Sequence, residues 1–115
     1  MMKLGDEGEV IAIQYLKKRG YKVIDRNHKN AFGEVDIIAL HKGTLVFIEV
    51  KTRRTGEYGM PFEAVDHRKQ DKLKKVALMY MKRLKKEVPA RFDVVSIVVE
   101  EGRPAIELIT DAFEL

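Results

Sequence analysis

The stretch from Gly33 to Lys51, GEVDIIALHKGTLVFIEVK, leaves little freedom in how it can fold. Val35 to Leu40 and Leu45 to Val50 are rich in β-branched and apolar residues, and His41-Lys42-Gly43-Thr44 between them carries the glycine that a tight turn needs. It reads as a β-hairpin. With Lys42-Gly43 as a two-residue loop, Asp36 falls opposite Glu49 and Glu34 opposite Lys51, and period-two alternation puts all four side chains on one face. Two carboxylates opposed across an otherwise apolar hairpin repel each other by roughly 0.2–1 kcal/mol unless a cation lies between them. A divalent metal is the expected cation.

Composition narrows which metal and which fold. The 115 residues, 45% of them hydrophobic, suffice for one compact domain with a real core and are too few for two. There is no cysteine, so thiolate sites are unavailable, and with three scattered histidines a zinc site is not expected; oxygen ligands remain. Mg²⁺, with Mn²⁺ as a substitute, suits two carboxylates completed by water and phosphate oxygens. No apolar run is long enough to span a bilayer, and MMKLGDEGEV lacks the apolar core of a signal peptide, so the expectation is a cytoplasmic protein with no membrane partner. A net charge of +4 on a chain that is 35% charged describes a mixed surface with a basic excess, compatible with a nucleic-acid partner without requiring one.

Along the chain, Leu4 to Arg19 reads as a helix closed by Gly20, with Lys17, Lys18 and Arg19 set against its C-terminal dipole. Glu9 heads a stripe continued by Ala12, Ile13 and Leu16. It is either a first-turn acid complementing the dipole or a group facing the hairpin. Tyr21 to Asp25 reads as a strand and Arg26 to Asn30 as a polar, basic connection, with His28 on the surface. After the hairpin, Thr52 to Val65 shows no periodicity. Arg53 and Arg54 there read as phosphate contacts; Phe62 reads as core and Tyr58 as part of a solvated turn, with stacking on bases the alternative.

Asp66 is a suitable N-cap for a second helix running to about Lys86, and Leu73, Val76, Ala77, Tyr80, Met81 and Leu84 form its buried stripe. Extended backwards, that stripe reaches Lys69 and Gln70, beside the sheet. Strands Arg91 to Val99 and Ala105 to Thr110 complete the chain, the apolar run Val94 to Val99 predicting an interior strand. The order α-β-β-β-α-β-β gives an α/β fold, a mixed sheet of about five strands flanked by helices.

Asp36 followed on the next strand by Glu49-Val50-Lys51 matches the Asp…(Asp/Glu)-X-Lys signature of the PD-(D/E)XK nuclease superfamily. With Gly5, Gly8-Glu9, Gly20-Tyr21, Asn27, Gly33 to Asp36, Phe47 to Arg53, Lys69 and Arg91 to Val94, the chain resembles over essentially its whole length the YraN family, bacterial proteins similar to archaeal Holliday-junction resolvases. The resemblance implies a restriction-endonuclease-like core. It implies Asp36 and Glu49 as metal ligands, Lys51 as the catalytic lysine, and Glu9 as an accessory acid that ligates a second metal or holds a metal-bound water. It places Lys69 and Gln70 where related nucleases put a further active-site residue; Gln70 is expected to take that role and Lys69 to contact nucleic acid. The function it implies is a Mg²⁺-dependent endonuclease acting on DNA, in branched or otherwise structured form, with a homodimer supplying two sites for two strands. The rival expectation is a non-catalytic nucleic-acid-binding domain that keeps the same fold.

Overall fold

The hairpin closes in the register its turn dictates. In a computed structural model of the chain, which describes residues 4–54, 65–100 and 103–114, Lys42 (φ 50°) and Gly43 (φ 82°) both lie in the left-handed region, as a type I′ turn demands. β2 (Gly33–His41) therefore pairs antiparallel with β3 (Thr44–Arg54) from His41 opposite Thr44 to Ile37 opposite Ile48. Tyr58 and Phe62 lie outside the described residues.

Around this hairpin stand α1 (Leu4–Lys18), β1 (Lys22–Asn30), α2 (His67–Lys82), β4 (Ala90–Glu100) and β5 (Arg103–Phe113). The five strands form one sheet in the order β1-β2-β3-β4-β5, in which β3 and β4 are parallel and all other neighbours antiparallel. The α/β fold and element order are those read from the sequence. The parallel pair requires a crossover, and α2 supplies it.

The two helices cover opposite faces. Ala12 and Leu16 of α1 pack on Ile37, Ala39, Val46, Ile48, Val95 and Ile97, while Leu73, Val76 and Ala77 of α2 pack on Val35, Leu45, Phe47, Phe92 and Val94. β4, covered on both faces, is buried from Phe92 through Ile97.

Several boundaries move for physical reasons. β1 does not stop at Asp25 but continues to Asn30, because β2 pairs with it to the end, Asn30 opposite Gly33. His28 is accordingly no surface residue; its ring stands edge-on to Tyr80 of α2 at 5.1 Å, and Nδ1 lies 3.1 Å from Asp25 Oδ2. α2 ends at Lys82 rather than near Lys86, its last turn tightening as Arg83 and Leu84 N–H donate to the Tyr80 and Met81 carbonyls.

Asp93, fully buried at the start of β4, is held by a complete set of donors. The Tyr21 hydroxyl donates at 2.8 Å, Arg91 Nε at 3.0 Å and the Asp111 N–H at 3.0 Å. The last bond pins a bulge in β5, where Asp111 takes φ 52°. Burial, followed by the Asp93 carboxylate, pushes Tyr21 up to about 12, so the phenol remains a donor across the physiological range.

Candidate functional site

The site begins where the hairpin ladder stops. Beyond Ile37 and Ile48 the strands part, and the Asp36 side chain fills the gap by accepting the Val50 N–H at 2.8 Å. This brings Asp36 against Glu49 as the hairpin register anticipates. Burial, then the Glu49 charge, push Asp36 up to about 7, with the Val50 N–H pulling the other way.

Glu49 is only 8% exposed. Its cation in this structure is a side chain: Lys69 Nζ lies 2.9 Å from Glu49 Oε1. Asp66 caps α2 by accepting the Lys69 N–H at 2.9 Å, which fixes Lys69 in the first helical turn and sends its side chain toward β3. No acid stands in that turn, so the positive helix end adds to the lysine's field at Glu49. Gln70, expected to be the active-site member of the pair, turns away; its Nε2 donates to the Val65 carbonyl at 2.9 Å. Of the pair, Lys69 thus stands at the carboxylates while Gln70 ties the helix to the segment that enters it.

Lys51 follows Glu49 by two residues on β3, hence on the same face, and its register partner on β4 is the buried Ser96. The alternative for Lys51, a salt bridge to Glu34, does not form. Glu34 is exposed and pairs with Lys29 across β1 and β2 at 3.9 Å. Half-buried, Lys51 makes no ion pair among the described residues.

Glu9 faces the hairpin rather than merely the helix dipole. Gly8 lets α1 approach so closely that a Cβ there would run into the Thr52 hydroxyl, and this contact seats Glu9 beside the fork. Asn27, in a left-handed conformation on β1 (φ 52°), hydrogen-bonds the Glu9 carboxylate, and Arg26 Nη2 lies 3.9 Å from it. Burial and then the charge of Asp36 raise Glu9 above its ordinary range. Yet among the described residues no three His, Cys, Asp or Glu side chains converge closely enough to hold a metal by themselves. Asp36 and Glu49 would hold a metal with water and phosphate oxygens, a set that suits Mg²⁺, and Glu9 stands beside them as a further acid.

Of the two arginines, Arg54 is exposed at the end of β3, but Arg53 is 8% exposed and belongs to the interior. Arg53 as a surface phosphate contact is corrected accordingly. Among the described residues, no helix is long and apolar enough to cross a membrane.

The profile of a family described as "Uncharacterised protein family UPF0102" matches residues 8–97, a span that runs from within α1 to within β4 and holds every element between. The chain belongs to the UPF0102 family. This is the YraN-like group that the sequence motifs indicated. A UPF0102 protein of Syntrophomonas wolfei is 46% identical over 112 residues, covering 96% of this chain and 97% of the relative. Another, from Thermodesulfovibrio yellowstonii, is 47% identical over 112 residues, with 97% and 96% covered. One from Geobacter sulfurreducens is 49% identical over 114 residues, with 97% and 89% covered. For this UPF0102 chain, sequence reasoning missed the role of Asn27 as a partner of Glu9 and the position of Ser96 beside Lys51. The second left a signal: Ser96 is the one hydroxyl in the apolar run Val94 to Val99.

Proposed function

We propose that this UPF0102 protein is a divalent-metal-dependent nuclease that hydrolyses phosphodiester bonds in DNA. The observation that carries the reading is the buried contact of Asp36 and Glu49 at the β2–β3 fork with Lys51 two residues on. Asp36 and Glu49 are the residues that would hold Mg²⁺ or Mn²⁺, which when bound would polarise the phosphate and acidify a water. Lys51, on the same face, donates hydrogen bonds to the reacting phosphate and to the charge that grows on it. Glu9, kept in place by Asn27, is positioned to orient a water. Exposed Arg54 and partly exposed Lys69 add positive charge for the backbone.

Cleavage of linear, nicked and four-way-junction DNA with Mg²⁺ or with EDTA tests the reading, junctions standing for structured DNA. Turnover should require metal and fall by roughly 10²-fold or more in Lys51→Ala, whose metal-induced stabilisation stays intact. Metal-independent cleavage, or full activity in Lys51→Ala, would refute it.

One observation favours a second reading, a nucleic-acid-binding domain without catalysis: the Lys69 ammonium already neutralises Glu49. On that reading DNA binds, metal changes neither affinity nor melting temperature, and no substrate is cut.

A further inference from the structure

Four large apolar side chains among the described residues stand in water, namely Ile24, Phe32, Leu78 and Leu84, and all four line concavities along α2. Ile24 is the residue that the β1 bulge drops from the ladder, between Val23 and Asp25. It lines a cavity of about 400 Å³ with Leu40, Tyr80, Leu84 and Val88, rimmed by Lys85 and Lys86. Phe32 and Leu78 line a neighbouring one of about 370 Å³ between Lys75 and Lys82. Lys75, Leu78, Met79 and Lys82 follow helical spacing, so they form one stripe along α2. In the adjoining concavity of about 560 Å³, which shares Leu84, Lys85, Lys86 and Val88, Glu87 is the one acid.

We propose that this groove docks an acidic segment of a partner protein, which seats a bulky apolar side chain between Ile24, Tyr80, Leu84 and Val88 while Lys82, Lys85 and Lys86 meet its carboxylates. The shape and charge select this occupant. A second copy of the chain packed on the same face would set lysines against lysines, because a two-fold interface is self-complementary. A nucleic acid would find cations but no phosphate partner for the apolar floor. A lipid surface is met by projecting apolar side chains, whereas these line a concavity of a size that takes one or two side chains. The groove lies at the far end of α2 from Lys69, about 20 Å along the helix, so it is independent of the nuclease reading.

Fluorescence anisotropy with labelled twelve-residue peptides, varying the number of aspartates and the presence of a single Phe or Leu, tests the proposal. Saturable, salt-weakened binding should require both several aspartates and the apolar residue. It should weaken at least about tenfold in Leu84→Asp and in Lys85→Glu/Lys86→Glu, both exposed positions whose melting curves show whether the fold is kept, and should not change in Asp36→Asn. The proposal is overturned if no peptide binds, if an all-aspartate peptide binds as well as the anchored one, or if the folded variants bind as tightly as the native chain. It is also overturned if phosphatidylglycerol vesicles are bound through Leu84 while the peptides are not.

Discussion

Lys69 Nζ lies 2.9 Å from Glu49 Oε1, bridging the first turn of α2 and the middle of β3. A cation is thus present where hairpin chemistry requires one, and it is covalently part of the chain. A divalent ion bound by Asp36 and Glu49 would compete with it for the same oxygen. Lys69→Met should therefore lower the melting temperature in EDTA, by the equivalent of about 1 kcal/mol because the lysine is partly exposed, and enlarge the rise produced by Mn²⁺. Equal Mn²⁺ responses in both proteins would mean that lysine and metal do not share a site.

Asp36 makes stability depend on pH in a defined direction. Its carboxyl is raised from 3.8 to about 7, so between these values the folded chain keeps a proton that the unfolded chain has released. The contribution is full below about 4 and is lost as pH rises through about 7. Metal-free protein should weaken from pH 5 to 8 by an amount on the order of 1–3 kcal/mol. Asp36→Asn should flatten that slope and melt higher than wild type at pH 8, since the amide oxygen can still accept the Val50 N–H and the amide nitrogen can donate to Glu49. Denaturant titrations at several pH values, all in EDTA, measure both; a variant less stable at pH 8 would assign Asp36 a structural role.

The hairpin and its acids were legible because a two-residue turn with one glycine fixes register, and register fixes faces. What was not legible depended on distant pairing. Arg53 and Arg54 look equivalent if β3 is taken to end at Lys51. The strand runs on because β4 pairs with it in parallel as far as Arg54 opposite Val99, and alternation then buries Arg53 and exposes Arg54. Helical period brought both Lys69 and Gln70 to the sheet, but periodicity cannot separate adjacent residues at a helix start. The Asp66 cap and the Val65 carbonyl make that choice. The polar stretch Arg26 to Asn30 did not read as strand because the edge strand β1 leaves its residues exposed or only half-buried.

The two arginines should consequently fail in different ways. Arg54→Ala should leave the melting temperature nearly unchanged and weaken binding to all DNA sequences alike, reducing the slope of log affinity against log salt by about 0.9 if it neutralises one phosphate. Arg53→Ala should instead destabilise the fold, as loss of a buried side chain does. Binding isotherms at three salt concentrations and melts on the same samples distinguish them. A large stability loss in Arg54→Ala with none in Arg53→Ala would reverse the assignment.

The approach of α1 to β3 at Gly8 and Thr52 gives a test that needs no assumption about function. An alanine in a helix is ordinarily favoured over glycine by roughly 0.5–1 kcal/mol. At Gly8 the added methyl meets the Thr52 hydroxyl and then its Cβ, so overpacking should outweigh that gain and leave a net loss of about 1–2 kcal/mol. Thr52→Ala removes the hydroxyl that the new carbon strikes first, although the Cβ remains and recovery should be incomplete. The double variant should accordingly be more stable than the sum of the single effects allows, with a coupling of about 1 kcal/mol. Glu9, next along the helix, moves with the strain, so Gly8→Ala should also loosen its contacts with Asn27 and Asp36. Strictly additive effects of the two substitutions would show that α1 is not seated on β3 through this contact.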